Sequence, residues 1–148
     1  MALWSEMANE HRTMDPRYTF APEAPAAVAR HIRRSMACND SRVFVADLHG
    51  RPIGYILAEV HRRSPIYPIG VYGCISDLCV TISERRRGIG SALVRHTFRW
   101  FETRGVTASE LHAAELNQTA QAFWRAMGYE PYIRLMRRSM YAGEEMEQ

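Results

Sequence analysis

Val80-Thr81-Ile82-Ser83-Glu84-Arg85-Arg86-Arg87-Gly88-Ile89-Gly90-Ser91 joins an apolar run to a long amphipathic one, and its reading decides the fold. Val71 to Val80 is a strongly apolar strand, and residues 88–104 fit one helix with Ile89, Leu93, Trp100 and Phe101 on its buried side. The chain therefore leaves a strand, crosses a polar turn and enters a helix through Gly88-Ile89-Gly90-Ser91. A helix start exposes unpaired amides and a partial positive charge, which attract phosphate. Glycines let a backbone approach an anion without a Cβ in the way. Arg85, Arg86 and Arg87 add charge in front. In physical terms this is a diphosphate cradle. It is not a Walker loop, because no G-x-x-x-x-G-K-[ST] string exists, and counting from Gly88 the third glycine of a dinucleotide fingerprint is Leu93. On these residues alone, a strand-to-helix turn without a ligand stands ahead.

Outward from this joint the pattern predicts nine elements. Residues 1–14 place Leu3, Trp4, Met7, His11 and Met14 at helical spacing, ended by Pro16, and 15–20 form a loop. Residues 23–37 read as a second helix with Val28, Ile32 and Met36 along one stripe. Residues 42–47 and 53–61 read as a hairpin around the turn 48–52, and 62–70 as a Pro- and Gly-containing loop. After the long helix, Gly105 is a stop, 107–113 a strand, 118–127 a helix closed by Gly128, and 129–140 a final strand region. The acidic stretch 142–148 reads as a frayed tail. This order predicts an α/β fold, one domain over 1–148, with a mixed sheet and helices on both faces.

The chain has 148 residues, 47% hydrophobic and 24% charged, which suits one globular domain. The net charge of +3 fits a small anionic ligand and nucleic acid alike. Interleaved exposed aromatics and a nucleic-acid motif are missing, so nucleic acid is not expected as a partner. The three cysteines, Cys38, Cys74 and Cys79, form no C-x-x-C pair, so neither a disulfide framework nor a structural metal is expected. No transmembrane run and no signal peptide are read, so a cytoplasmic protein without a membrane partner is expected.

Arg85-Arg86-Arg87-Gly88-Ile89-Gly90 resembles the [QR]-x-x-G-x-[GA] motif of the GNAT superfamily of N-acetyltransferases, with the strand Ile75 to Val80 ahead of it. Asn117-x-x-Ala120-x-x-Phe123-Trp124-x-x-x-Gly128-Tyr129 resembles the family's second motif, in the right order and at the expected separation. The match runs from Ile53 to Tyr141 and is most similar to the spermidine/spermine and thialysine acetyltransferase branch. The resemblance implies a splayed central sheet and acetyl-CoA as co-substrate. The backbone of Leu78, Cys79 and Val80 would pair with the pantetheine arm. The amides from Arg85 through Arg86, Arg87, Gly88, Ile89 and Gly90 to Ser91 would hold the pyrophosphate. Asn117 would hydrogen-bond the coenzyme, cap the helix at Gln118, or both. Phe123 and Trp124 would pack on the arm, although core packing explains such aromatics equally well.

The implied chemistry is direct attack of a primary amine, of a small molecule or a protein, on the thioester. Two positions depart from the family: Trp124 stands where many relatives place a tyrosine acid, and Ser76 where some carry a glutamate base. Indole is a donor only. Tyr129, Tyr132 or water would have to replace the acid. Asp77 is the first candidate for the base, with Glu59 and His61 on the adjacent strand behind it. The acceptor pocket would draw on residues 11–35 and 62–72, where His11, Arg12, Tyr18, Tyr67 and Tyr72 are candidates. The family's opening strand is missing or dispensable here. That exposes a sheet edge, which pairing in a homodimer would cover. A catalytically weak acyl-CoA-binding sensor is the competing reading.

Overall fold

The computed structural model describes residues 1–138. Helices α1 (Ala2–Met14) and α2 (Ala24–Ala37) lead into strands β1 (Ser41–Leu48), β2 (Arg51–Arg62) and β3 (Val71–Val80). A 3₁₀ turn (Ile82–Glu84), helix α3 (Ile89–Thr103), strand β4 (Ser109–Leu111) and helix α4 (Gln118–Ala126) follow. The sheet order is β1-β2-β3-β4, antiparallel except for the parallel β3–β4 pair. This is the expected mixed α/β architecture.

The two faces of the sheet are set by strand alternation. Ile56, Ala58 and Ile75 turn to α3 and meet Leu93, Val94 and Phe101 in the main core. Tyr55, Leu57 and Cys79 are buried on the opposite face, where α1 lies over β2 and β3 and α2 over β1 and β2. The buried row of α3 is Leu93, Val94, Thr97 and Phe101, with Ile89 and Trp100 only half-buried beside it. Thr97 fits this row because its hydroxyl donates to the Leu93 carbonyl at 3.1 Å. In α2 the inward position one turn beyond Ile32 is Ser35, which is buried, whereas Met36 is 66% exposed. The hairpin turn is tighter than expected: His49 (φ 54°) and Gly50 (φ 80°) alone form it, both left-handed as a two-residue turn requires.

Two expectations for the second half fail. Leu57 pairs with Asp77 and Ala58 with Ile75, so Ser76 is an extra residue, a β-bulge, in β3. A bulge bends its strand. The parallel ladder to β4 accordingly covers only Gly73, Cys74 and Ile75, and β4 shrinks to three residues instead of 107–113. The expected final strand is likewise not formed over 129–138, where Glu130 to Arg138 run exposed and Tyr129 closes α4 by donating its amide to the Trp124 carbonyl. Residues 139–140 of that expected strand, and the acidic tail at 142–148, lie outside the described residues.

Gly73 marks the closest approach of β3 to α3. A Cβ there would stand 2.5 Å from the Phe101 ring, which is 3% exposed. Gly73→Ala is expected to lower the unfolding free energy by about 2 kcal/mol, as overpacked cores do. Phe101→Leu in the same chain should recover part of that loss in chemical denaturation, since a shorter side chain vacates the space.

Candidate active site

The site is built on the edge that the bulge frees. The Gly73 amide donates to the Ala108 carbonyl at 2.9 Å, toward β4, and the Thr81 amide donates to the Ile53 carbonyl at 2.9 Å, toward β2. Amide direction alternates along a strand. Leu78 and Val80 therefore point their amides away from β2, on the side where β4 has already ended. Strict alternation by residue number from Gly73 would continue the outward set through Asp77 and Cys79; because the ladder skips Ser76, the set passes to Leu78 and Val80 instead. Cys79, expected among the outward residues, instead faces Tyr55 across the β2–β3 ladder. Its thiol donates to the Leu3 carbonyl at 2.9 Å, and burial pushes its pKa up to about 12. It is a packing residue.

The open edge runs straight into the turn before α3. Arg86 (φ 62°) and Gly88 (φ 79°) are both left-handed, an alternation that lets consecutive amides converge on one anion. Gly88 caps α3 with no side-chain hydrogen bond, so the first-turn amides of Ile89, Gly90 and Ser91 keep their donors free. The arginines divide their work. Arg85 Nε donates to the Val80 carbonyl at 2.8 Å, and its guanidinium holds both Glu10 oxygens at 2.7 and 2.5 Å. Arg87 pairs with Glu84, which is 8% exposed and lies 3.6 Å from Arg51 as well. Arg86 is exposed and takes part in none of the ion pairs of the described residues.

Helix α4 supplies the facing wall. A Cβ on Gly90 would stand 3.4 Å from the Phe123 ring and 3.9 Å from Val80, so Phe123 lies across the mouth between the helix start and the strand edge. Trp124 stands edge-on to Phe123 at 4.9 Å and to Tyr129 at 5.4 Å. Asn117 caps α4: its Oδ1 accepts the Ala120 amide at 2.9 Å, and its Nδ2 has no partner among the described residues.

The two catalytic candidates stand on opposite faces of the sheet. Tyr129 packs on Phe98 of α3, its hydroxyl 2.7 Å from Ser109 Oγ, and burial raises its phenol. Asp77 faces α1 and α2. Burial raises its carboxyl, while Tyr55, donating to Oδ2 at 3.3 Å, and the nearby His31 and His11 oppose that rise. On the same face Ser76 Oγ donates to Glu59 Oε2 at 2.6 Å, and His61 Nε2 lies 3.8 Å from that oxygen. Of the expected acceptor residues, His11 stacks on Tyr18 at 5.2 Å, and Arg63 lies over Tyr72 at 4.3 Å and Tyr67 at 5.3 Å.

Sequence reasoning missed Glu6 and Glu10. Glu6 accepts from the Thr81 hydroxyl at 2.9 Å and the Ile82 amide at 2.6 Å, and one helical turn later Glu10 grips Arg85. Their spacing of four residues puts both on one face of α1, but their partners lie 75 or 76 residues away. Among the described residues no cluster of three His, Cys, Asp or Glu side chains forms a metal site, and no helix is long and apolar enough to cross a membrane.

A mixed sheet opened along one strand, with free amides at the next helix start and an aromatic wall opposite, fits the arrangement that the family resemblance implies. The acetyltransferase (GNAT) family model matches residues 4–129, and the chain belongs to that family of enzymes. An uncharacterized N-acetyltransferase of Methanocaldococcus jannaschii is 28% identical over 95 residues, 64% of this chain and 42% of that protein. The chain thus spans less than half the length of that relative. Among solved structures, a tetramutant of the BH1408 protein of Bacillus halodurans superposes with a TM-score of 0.81 at 21% identity, covering 94% of this chain and 90% of that one. An aminoglycoside 6'-N-acetyltransferase of Acinetobacter haemolyticus gives 0.69 at 17% identity over 83% and 86%. The aminoglycoside N-acetyltransferase AAC(6')-Iy, solved in complex with CoA, gives 0.68 at 18% identity over 79% and 88%. These structures share the fold.

The Glu10–Arg85 pair makes a measurable demand on pH. The Arg85 hydrogen bond, first among the causes, holds the Glu10 carboxyl below its usual value. The stabilisation is complete above the usual glutamate pKa and is lost as the pH falls through the lowered one. Glu10→Gln is expected to cost about 1 kcal/mol near neutral pH, a modest figure because both side chains are about one-third exposed. In urea titrations the gap to the unaltered chain should close in acid.

Proposed function

We propose that the chain, acting as one domain, transfers the acetyl group of acetyl-CoA to a primary amine of a small molecule or a protein. The observation that carries this reading is the unpaired β3 edge, whose outward amides at Leu78 and Val80 lead directly into the uncapped start of α3. The residues present suit the coenzyme. The amides between Arg86 and Ser91 would receive its pyrophosphate, with the uncommitted Arg86 guanidinium beside them. Leu78 and Val80 would pair with the pantetheine arm, since each presents an outward amide. Phe123 would lie along the arm, Trp124 would support Phe123, and Asn117 Nδ2 is the donor left over once its oxygen has capped α4.

The arm enters at α3 and follows the edge past Val80 and Leu78, which brings the thioester to the bulge. An outward amide there would stabilise the tetrahedral oxyanion. On the α1 and α2 face, Glu59 and Asp77 supply negative charge for a cationic amine and a place for its proton. Tyr129 is a weaker candidate for the acid than its sequence position implied, because Ser109 and Phe98 hold it on the other face. The leaving thiolate would then take its proton through water.

The acceptor is an amine compound; aminoglycosides, the substrates named for two of the structural neighbours, and the polyamines of the spermidine/spermine branch are the first to try. A homodimer formed along the outer edge of β1 would cover that edge strand.

Thiol release from acetyl-CoA, measured against polyamines, amino acids, aminoglycosides and peptides, tests the activity. Tight binding with no release for any amine would favour the sensor reading. Gly90→Glu is expected to abolish calorimetric binding of acetyl-CoA, because the new side chain meets Phe123 and puts negative charge among the phosphate-binding amides. Unchanged binding in that variant would remove the phosphate site.

A further inference from the structure

We infer that Glu59 is the residue that takes the proton from the acceptor amine, and that Ser76, the extra residue of the bulge, positions it. The inference deepens the acetyltransferase reading and rests on it.

The bulge does two things at once. It ends the β3–β4 ladder, so the acyl end of a ligand running along the open edge arrives there. It also turns two consecutive side chains, Ser76 and Asp77, to the same face, since Ser76 reaches Glu59 and Asp77 reaches Tyr55. Two carboxylates thus stand beside the point where the thioester arrives, and their surroundings differ. Asp77 is mostly buried beneath α1 and α2, and the Tyr55 hydroxyl already occupies Oδ2. The Glu59 side chain is 24% exposed and receives one short hydrogen bond, on Oε2 from Ser76 at 2.6 Å. That bond fixes one oxygen and leaves Oε1 without a partner among the described residues. A carboxylate held by one oxygen and free at the other is suited to receive a proton from a bound ammonium.

The proton balance is simple. The amine arrives as R–NH3⁺ and gives one proton to Glu59, which later passes it to solvent. The nitrogen lone pair attacks the thioester carbonyl carbon, and the C–S bond breaks with its electrons on sulfur. The nitrogen then loses a second proton, and the thiolate gains one through water. The other titratable groups around Glu59 are His61 on its own strand and Cys74 and Asp77 on β3, with His11 of α1 and His31 of α2 acting on Asp77.

The test uses the full chain and the amine that gives the fastest thiol release. Glu59→Gln should lower kcat/KM about 100-fold, in the range of a lost general base, and abolish the acidic limb of its pH profile. Calorimetric affinity for acetyl-CoA and the melting temperature should stay as they were. Ser76→Ala should lower kcat several-fold and shift that limb, and Ser76→Thr, which keeps the hydroxyl, should restore both. Asp77→Asn should keep the limb. A Glu59→Gln enzyme with the original rate and limb, or loss of the limb in Asp77→Asn, overturns the assignment while leaving the acetyltransferase reading intact. Acetyl-CoA binding with no thiol release for any amine overturns the reading and the assignment together.

Discussion

Ser76 sits in the β3 ladder as one residue too many, and the site follows from that irregularity. Strict alternation over the six residues between Gly73 and Val80 would leave the Val80 amide facing β2. The ladder skips Ser76, so the outward amides at Leu78 and Val80 belong to the segment with no neighbour. The same insertion bends the strand away from β4. A strand edge is ordinarily a hazard, since unpaired amides invite pairing with another chain. Here the edge ends against Phe123 and a helix start, which confines it to a groove that an extended ligand could enter.

The turn that follows is held from the opposite face of the sheet. Glu6 and Glu10 project from α1 to Thr81, Ile82 and Arg85, so the helix that covers β2 and β3 also shapes the turn before α3. At Arg85 the side chain of the motif turns to other parts of the protein. Its charge suggests a phosphate contact, yet its guanidinium is occupied by Glu10 and its Nε by the Val80 carbonyl. Among the three consecutive arginines, Arg86 is the one left to face an anion.

Periodicity carried most of the fold. The α1, α2, β3, α3 and α4 segments, and the stops at Gly105 and Gly128, follow from apolar spacing and left-handed glycines, and the structure repeats them within a residue or two. The strand after Gly105 was overlong in the sequence reading because nothing in residues 107–113 reveals that β3 bends away from them. Residues 129–138 have strand-like composition, but a strand exists only where a neighbouring edge offers its hydrogen bonds. The left-handed turn and helix start proposed to hold an anion were legible because they are local: glycines, arginines and a helix start within a dozen residues. The arrangement of Glu59, Ser76 and Asp77 was not, because it depends on a one-residue register shift between strands. Asn117 fell between these cases, since a helix cap and a ligand contact call for the same residue type, and its two polar atoms leave room for both.

The reach of α1 across the sheet would tie the affinity of any ligand held by the turn to the integrity of the amino-terminal helix. A group that binds only the properly formed turn stabilises every element that holds the turn in shape, and fraying of α1 weakens binding in equal measure. The first dozen residues, remote in sequence from the cradle, therefore act as part of its wall: acetyl-CoA would be felt as protection of α1 amides from hydrogen exchange, although no atom of that helix need touch the coenzyme.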